Sequence, residues 1–353
     1  MLTIRILLFI ITGFLFLTAC QLASKQTIEQ GVIVVEKAEV RNSTGLVAAS
    51  IKEVKRGQVV DILERRTANQ QDYIQVRIPG ENNVEGWLET RFVISKRIVD
   101  ECNKLFEEWK DISTQATGKT KDKLKLRLSP GRGSEVITVL AANTKLSIVG
   151  RARAERQTED KPAKDDGKDS KDSKDSKDSK DSNKYDDWYK VRLEDNAVIK
   201  AGWIYADSVE ITPPDAITAL PGAGRRFIAW EAFGEVSDPE TNSTEKNYII
   251  LDKYAYSKEE EIDFDRIYII AWDLAIHGYS SILIESQLKG LYPLKVEKVS
   301  SGYLFNVSLL NKEGKPVVTR YQIKLEDEAT NKWLAGKIQE PKPTTQKPTK
   351  KTK

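Results

Sequence analysis

Short runs in which apolar and polar residues alternate recur along most of the chain. One such run covers residues 59–64 and another covers residues 146–150. Because successive side chains of a strand point to opposite faces, this spacing predicts β-strands. The Gly, Pro and Asn residues between the runs are typical of turns. The pattern therefore predicts a mainly β fold made of small antiparallel barrels or sandwiches.

A different spacing is found between Lys96 and Ser113. Its apolar residues recur every three or four positions: Ile98, Val99, Cys102, Leu105, Phe106, Trp109 and Ile112. That period predicts an amphipathic helix, which we assign as a linker over residues 97–114 and expect to pack on one or both neighbouring β-domains. Because Cys102 lies on the apolar face, we interpret it as a buried small hydrophobe and not as a nucleophile.

Strand signals dominate residues 220–338, after the pair Pro213-Pro214. Seven segments are rich in β-branched and aromatic residues: 227–233, 247–256, 265–274, 279–286, 291–299, 303–310 and 316–325. This density of strands predicts an antiparallel β-sandwich or barrel-like domain. The stretch from Glu326 to Ile338 is predicted to end in a short helix that carries Trp333.

Two parts of the chain repeat each other. Residues 72–93 and 187–209 share an Asp-aromatic start, a Val-Arg pair, a polar turn, a Gly-Trp pair and a final valine. The second copy is longer than the first by about thirty residues. The equivalent positions are Arg41 and Arg127, and Trp87 and Trp203.

The extra residues form a charged tract, 155–184. It holds ten acidic and nine basic side chains and repeats Lys-Asp-Ser five times in succession. Such a tract cannot bury enough apolar surface to offset the entropy lost on ordering, so we predict a disordered loop between two strands. A loop tolerates this insertion because the cost of closing it grows slowly with length. The tract is either a spacer or the product of repeat slippage.

The repeated pattern resembles the bacterial SH3-like (SH3b) domain. The features that carry the resemblance are the Val-Arg pair, the segment WYKVR at 188–192 and the segment AGWIYADSV at 201–209. In the first copy, Tyr73-Ile74 stands in place of the aromatic pair. The resemblance implies two small SH3-like β-barrels, at residues 32–96 and 115–212, joined by the amphipathic helix.

Members of this family are usually non-catalytic modules that target cell walls, and some bind peptidoglycan cross-bridges or stem peptides. The resemblance therefore implies that the barrels bind peptidoglycan or peptide ligands. The candidate residues are Arg41 and Arg127 at the start of two long loops, the aromatic residues Tyr73, Trp188 and Tyr189, which are expected to be exposed, and Trp87 and Trp203. We interpret the last two tryptophans mainly as core residues, with the lining of a groove as the alternative.

The first nineteen residues have the features of an export signal. Arg5 precedes a run of mostly large apolar residues, Ile6 to Leu17, that is shorter than a membrane span. The next residues complete Leu17-Thr18-Ala19-Cys20, which resembles the lipobox of bacterial lipoproteins. The resemblance implies removal of residues 1–19, lipidation of Cys20 and a membrane anchor, with residues 20–31 as a linker. An ordinary signal peptide with a chance cysteine is the alternative.

Composition narrows the possible chemistry. The chain has two Cys and one His, which is too few for a structural zinc site with four such ligands. A catalytic triad would have to rest on His277 alone, and we expect this turn residue to be structural or solvated. The formal net charge is only +3, which argues against nucleic acid as a partner. No metal and no cofactor is implied.

Two further features leave alternatives open. The basic tail, residues 339–353, is predicted to be disordered and is either solvated or in contact with anionic wall polymers or lipid. The carboxylates of Glu231, Asp263, Asp265 and Asp273 could supply a glycosidase pair or a calcium site. Their spacing does not single out a pair.

These features together predict a non-enzymatic, lipid-anchored protein of the cell envelope. It would lie on the outer membrane, on the periplasmic face of the inner membrane, or on the surface of a Gram-positive cell. Its predicted partners are the membrane, through Cys20, and peptidoglycan or an envelope protein. A scaffold or assembly factor without wall affinity is one alternative, and a carboxylate enzyme in residues 220–338 is another.

Overall fold

The computed structural model describes residues 25–80, 83–156, 184–193, 198–220, 222, 224–255 and 261–338. The predicted signal segment with Cys20, the Lys-Asp-Ser repeats and the basic tail lie outside these residues. The chain divides into two compact units, Met1–Glu101 and Cys102–Lys353. Within the ranges given above, no helix is long and apolar enough to cross a membrane.

The first unit contains a seven-stranded antiparallel sheet. Its strands are β1 (Glu29–Ile33), β2 (Lys37–Arg41), β3 (Ser50–Lys55), β4 (Val59–Ala68), β5 (Gln71–Arg77), β6 (Glu85–Glu89) and β7 (Val93–Ser95). They are hydrogen-bonded in the order β3-β2-β6-β5-β4-β1-β7. A short 3-10 helix, Thr90–Phe92, leads into β7.

The alternation in the sequence explains which side chains of this sheet are buried together. Val60 and Ile62 of β4, Val76 of β5 and Leu88 of β6 belong to one apolar core. Trp87 is adjacent to Leu88 in β6, so its side chain projects from the opposite face of the sheet. The outer face of the first sheet therefore carries an aromatic side chain.

A helix, α1, spans Lys96–Trp109, where the spacing of apolar residues predicts one. Ion pairs between Lys96 and Asp100 and between Arg97 and Glu101 link successive turns on its exposed side. The side chain of Cys102 is fully buried. Its burial confirms the interpretation of Cys102 as part of an apolar face.

The second unit begins with a second seven-stranded antiparallel sheet. Its strands are β8 (Ala116–Thr120), β9 (Leu124–Arg127), β10 (Val136–Leu140), β11 (Lys145–Glu155), β12 (Tyr185–Arg192), β13 (Ala201–Tyr205) and β14 (Val209–Ile211). Their order is β10-β9-β13-β12-β11-β8-β14, which matches the first sheet strand by strand. A 3-10 helix, Ala206–Ser208, again precedes the last strand. The sequence repeat is thus a repeat of topology.

The same unit also contains a third antiparallel sheet, which follows a short helix, α2 (Asp215–Thr218). Its strands are β15 (Arg225–Asp238), β16 (Ser243–Tyr254), β17 (Phe264–Asp273), β18 (Gly278–Val299), β19 (Gly302–Leu310), β20 (Pro316–Asp327) and β21 (Lys332–Lys337), and each pairs with the next. The sheet curls so that its first and last strands come close together. The rings of Phe233 of β15 and Trp333 of β21 have centroids 5.5 Å apart. The expectation of a mainly β chain with antiparallel sheets is confirmed.

Two details of the third sheet differ from the sequence predictions. The predicted strands 279–286 and 291–299 form one continuous strand, β18, whose pairing with β19 shifts register between Leu291 and Lys295. The predicted C-terminal helix is wrong, because residues 332–337 form β21, which pairs with β20. Trp333 is half-buried against the core of this sheet, so tertiary packing outweighs the local helical pattern.

Candidate functional site

The first sheet carries a cleft of about 410 Å³. Its lining residues are Lys37, Ala38, Glu39, Arg41, Glu53, Tyr73, Trp87, Leu88, Glu89 and Phe92. The structure therefore brings together three of the candidate residues that the sequence suggests, namely Arg41, Tyr73 and Trp87. We call this space the β2–β6 cleft.

The cleft exists because β2 and β6 pair at a single position and then separate. Arg41 lies opposite Trp87 in the register of the two strands. At this point the backbones are close: a Cβ atom on Gly86 would lie 2.7 Å from the carbonyl oxygen of Arg41. The glycine of the Gly-Trp pair is thus required for close approach. From there, Glu39 and Glu89 line the two sides of the cleft.

Aromatic side chains form the floor of the β2–β6 cleft. Trp87 is 8% exposed, and the guanidinium of Arg66 lies 4.6 Å from the centre of its ring. Tyr73 is half-buried, and it lies opposite Glu89 in the register of β5 and β6. Because Trp87 is largely buried, as a core residue would be, Tyr73 is the more accessible aromatic surface, and such a surface can stack against sugar rings, peptide planes or cations.

The charges around the cleft differ in how far they are already paired. Glu89 accepts hydrogen bonds from Gln71 and Arg91, and Lys37 lies 3.5 Å from Glu53. By contrast, neither the Arg41 guanidinium nor the Glu39 carboxylate has an ion-pair partner among the described residues. The cleft therefore offers one available cation and one available anion beside an aromatic floor.

In the second copy, the chain's own helix covers the equivalent face. Trp203 lies opposite Arg127, as Trp87 lies opposite Arg41. The ring of Trp109, from the end of α1, meets the edge of Trp203 with centroids 5.6 Å apart and an angle of 86°. Lys190 Nζ lies 5.2 Å from the Trp109 ring and 5.4 Å from the Trp203 ring. Leu105, Phe106 and Ile112 pack on the same cluster.

Of the candidate residues of the second copy, Trp188 is enclosed by this cluster, and Arg127 is half-buried. Trp188, expected to be exposed, is 2% exposed, and the expectation is wrong because α1 covers this face of β12 and β13. Arg127 donates a hydrogen bond to the backbone oxygen of Ser134. Burial, together with the charge of nearby Arg132, lowers the pKa of the Arg127 guanidinium. These residues form a packed surface rather than an open site.

Tyr189, the remaining candidate, lies at a different place. It points to the opposite face of β12 from Trp188 and lines a cleft of about 540 Å³ where the second and third sheets meet. Burial raises the pKa of its hydroxyl. Arg151 links the two sheets here, because its guanidinium donates to Asp187 and to Asp263, each at 2.6 Å. Arg226 also lines this cleft.

A buried glutamine joins the same two sheets. Gln115 Nε2 donates to the backbone oxygen of Leu294 at 3.0 Å, and Gln115 Oε1 accepts from the Leu294 N–H at 2.6 Å. Its own backbone oxygen accepts from the N–H of Trp230. Sequence reasoning missed Gln115 and Arg151, since Leu294 is 179 residues from Gln115, Asp263 is 112 residues from Arg151, and no local pattern marks either residue.

Three of the four carboxylates considered for catalysis are held by other groups of the chain. Asp263 is held by Arg151 and by the backbone N–H of Tyr292, and Asp265 pairs with Arg225. Asp273 accepts a hydrogen bond from the N–H of Ala275 in a turn. Burial raises the pKa of Glu231. Among the described residues, no three His, Cys, Asp or Glu side chains are grouped so that they could hold a metal ion.

His277 connects two hairpins of the third sheet. Its Nδ1 lies 2.9 Å from Asp238 Oδ2, and its Nε2 lies 2.5 Å from Glu240 Oε2. Asp238 also accepts from the Trp272 indole and from the N–H groups of Glu240 and Thr241. Burial alone would raise the pKa of Asp238, but these hydrogen bonds hold it well below its usual value. The hydrogen bond to Asp238 raises the pKa of His277.

These shifts predict opposite pH effects on stability. A raised histidine pKa stabilises the fold below the unfolded value of about 6.5, and this contribution is lost as the pH rises through the folded pKa. A lowered aspartate pKa stabilises the fold above about 3.9, and that contribution is lost at acid pH. We expect the urea midpoint of the second unit to fall as the pH rises above about 6.5, and His277→Gln to remove this decline. An unchanged pH profile in His277→Gln would contradict the role of the imidazolium.

Comparisons with known proteins assign neither a family nor a function to this chain. No family model matches the chain, and no curated protein matches it either. Five solved chains match, among them NlpC1 from Trichomonas vaginalis, which is 13% identical with a TM-score of 0.17 over 57% of this chain and 51% of the other. NlpC2 from the same organism is 9% identical with a TM-score of 0.16 over 75% of this chain and 99% of the other.

The chain therefore spans about half the length of NlpC1. At these TM-scores, the likeness defines neither the fold nor the activity of this chain. The class of protein that its own structure defines is a mainly β chain in which one seven-stranded topology occurs twice and a curled antiparallel sheet follows.

Proposed function

We propose that this chain is a non-catalytic lipoprotein of the cell envelope, anchored to a membrane through Cys20. Its two repeated sheets are SH3-like barrels, and the first of them binds cell-wall peptidoglycan or a related peptide. The observation that carries the proposal is the convergence of Arg41, Tyr73 and Trp87 in the β2–β6 cleft. These residues are far apart in sequence, and all three are among the candidates that the SH3-like resemblance suggests, Trp87 as a groove residue being the alternative to a core role.

The assignment of SH3-like barrels rests on two features that agree. The repeated sequence motif resembles that family, and both copies have the same strand order with a 3-10 helix before the last strand. In each copy the Arg and Trp of the motif lie opposite each other. The Arg and Trp of the motif therefore occupy equivalent positions in the two sheets.

The chemistry of the β2–β6 cleft suits a wall fragment. Peptidoglycan stem peptides carry free carboxylates, amides and, in many bacteria, a free amine. Arg41 would bind a carboxylate through paired hydrogen bonds, Glu39 would accept from an amine, and Tyr73, beside the buried Trp87, would stack against a peptide plane or a sugar ring. The second copy has no equivalent role in binding, because α1 fills its matching face.

A sedimentation assay with purified sacculi tests the proposal. We expect the mature chain to sediment with sacculi at low salt and the double variant Arg41→Ala/Tyr73→Ala to bind at least tenfold more weakly, since two contacts of about 1 kcal/mol each would be lost. Both side chains are partly exposed, so the fold should persist. The matched control is Tyr185→Ala, which removes a tyrosine that is exposed on the second sheet.

The outcomes separate the candidate functions. Equal sedimentation of the double variant and the control would remove the β2–β6 cleft from the proposal. A mature chain that stays in the supernatant would favour the alternative, a scaffold or assembly factor without wall affinity. Affinity purification from solubilised envelopes would then return stoichiometric protein partners.

A further inference from the structure

The cleft between the second and third sheets has no part in the proposed function. Its volume is about 540 Å³, which is within the range of sites that bind small molecules. We call it the β12–β15 cleft, because Tyr189 of β12 and Arg226 of β15 both line it. It is large enough to hold a small ligand or the end of a peptide.

Aromatic rings supply part of the lining of the β12–β15 cleft, namely those of Tyr189, Phe227 and Tyr292. The Tyr292 hydroxyl donates to the backbone oxygen of Ile228. The Tyr189 hydroxyl, by contrast, forms no hydrogen bond with any residue that the structure describes. Burial raises the pKa of both hydroxyls, so both are neutral at physiological pH. Tyr189 therefore has an O–H group that can donate to a ligand.

The carboxylates that line the cleft are already engaged. Arg151 donates to Asp187 and to Asp263, each at 2.6 Å. Asp207 accepts a hydrogen bond from the Tyr205 hydroxyl at 2.8 Å. Neither Asp187 nor Asp263 is therefore left as a counter-charge for a further cation.

The guanidinium of Arg226 is such a further cation. Arg226 is exposed, and it forms no ion pair and no side-chain hydrogen bond with a residue in the described ranges. It lies directly opposite Lys253 in the register of β15 and β16, and Lys253 is only 2% exposed. Like charges at directly opposite positions of two strands destabilise a sheet. The fold alone therefore does not favour an arginine at this position.

The positive charges at this place act on one another. Burial lowers the pKa of the Lys253 ammonium, and the nearby charges of Arg151 and Arg226 lower it further. The charged groups that line the cleft, together with Lys253, are Lys121, Arg151, Arg226, Asp187, Asp207 and Asp263. The cations exceed the carboxylates by one. An anion bound beside Arg226 would offset this excess in a partly buried site, where charges interact more strongly than in water.

We propose that the β12–β15 cleft binds a ligand that carries a carboxylate beside an aromatic or apolar group. The Arg226 guanidinium binds the carboxylate through paired hydrogen bonds, the Tyr189 hydroxyl donates another, and the ring of Phe227 contacts the apolar group. One negative charge matches the excess charge of the cleft, whereas a phosphate dianion would lie near three carboxylates. The site goes beyond the proposed function, since it depends on neither wall binding nor lipidation.

Calorimetric titration of the full-length chain tests the proposal. The probes are N-acetylphenylalanine, which has a carboxylate and an aromatic ring, and N-acetylphenylalanine amide, which has the same ring without the charge. We expect the acid to bind about tenfold or more tightly than the amide, because only the acid forms charge-assisted hydrogen bonds with a guanidinium. A second arm uses a peptide of three alanines that ends in phenylalanine. Tighter binding of this peptide than of the free acid would identify the ligand as a chain end, and equal or weaker binding would identify it as a small acid.

Two substitutions in the cleft locate the binding. Arg226→Gln removes the charge and should weaken binding of the acid by about tenfold or more, while binding of the amide stays the same. Tyr189→Phe removes only the hydroxyl and should weaken binding of the acid by a smaller factor. The matched control is Arg320→Gln, which removes an exposed arginine of the third sheet outside the cleft and should bind the acid as the unchanged chain does. Because Arg226 repels Lys253, Arg226→Gln should keep or raise the thermal midpoint of unfolding, which shows that the fold is intact.

Equal affinity for the acid and the amide, or unchanged binding of the acid in Arg226→Gln, would overturn the proposal. Absence of binding at millimolar concentrations of the acid would overturn it as well. Tighter binding of inorganic phosphate than of the acid would assign the cleft to another class of anion. A lower thermal midpoint in Arg226→Gln would show that the guanidinium stabilises the fold and is not kept for a ligand. None of these results bears on the β2–β6 cleft, which the sedimentation assay tests separately.

Discussion

Trp109→Ala is expected to lower the free energy of unfolding of the second unit by about 3–5 kcal/mol, the usual cost of removing a buried tryptophan. Trp109 is 1% exposed, and its ring fills the space between Trp203 and Lys190. The substitution leaves a cavity and removes an edge-to-face ring contact. Urea unfolding of the full chain, followed by near-UV circular dichroism, measures the effect, with the two units analysed as separate transitions.

The control for this substitution is the next residue, Lys110, just after the end of α1. Lys110 is exposed and makes a surface ion pair with Glu107 at 2.6 Å, a solvent-screened contact that contributes little to stability. Lys110→Ala should therefore change the unfolding free energy far less than Trp109→Ala. If Trp109→Ala and Lys110→Ala proved equally mild, α1 would not pack on the second sheet as described.

Gly302→Ala is expected to destabilise the third sheet by about 3 kcal/mol or more, from backbone strain combined with a steric clash. Gly302 starts β19 with a φ of +131°, which L-residues rarely adopt. A Cβ atom at this position would lie 2.1 Å from the backbone oxygen of Ile323 in the neighbouring strand β20. The clash is with backbone and cannot be relieved by a rotamer change.

Gly336→Ala is the matched control in the same sheet. Gly336 lies in β21, and a Cβ atom there would meet nothing within 4 Å. Replacing a strand glycine with alanine should raise stability slightly, by about 0.5–1 kcal/mol, because the unfolded chain loses freedom. Thermal unfolding of both variants gives the comparison. A loss of stability in Gly336→Ala as large as that in Gly302→Ala would show that strain at Gly302 is not the cause.

The parts of the fold that sequence could predict are those set by local periodicity. Alternation places Val60, Ile62 and Val76 in one core, and the helical spacing around Cys102 and Trp109 marks a helix with a buried face. The repeat was visible because Arg, Gly and Trp recur at matching places. The motif requires glycine at this position because a Cβ atom on Gly202 would clash with Leu126.

The features that the sequence could not predict depend on contacts between elements that are distant from each other in the chain. Trp188 has the same local pattern as an exposed strand aromatic, and only the docking of α1 buries it. Strand β18 continues through residues that look like a turn because β17 pairs with its first part, up to Gly290, and β19 pairs with the part from Gly290 onwards. Arg151 and Gln115 are ordinary polar residues in sequence, and their roles appear only when the second and third sheets are in contact.

The candidate site also combines features that the sequence could predict with features that it could not. Arg41, Tyr73 and Trp87 could be nominated from the repeat, but Arg41 and Trp87 are adjacent only through the register of β2 and β6. The contrast between the copies was not foreseeable, because equivalent residues differ in whether a helix covers them. Glu39 was missed for the same reason, since nothing in its neighbourhood marks it as a carboxylate that lines the cleft with Arg41.

The strand order of the repeated sheets has a consequence for how such a chain grows. In each copy the first and last strands are hydrogen-bonded neighbours, β1 with β7 and β8 with β14. A unit whose ends meet in this way can be duplicated in tandem without breaking any strand pairing, and only a short connector is needed. Between Glu155 and Tyr185, which are themselves paired, a hairpin can likewise lengthen without changing the sheet. Gene duplication and repeat expansion can therefore both occur without changing the strand order of the repeated sheets.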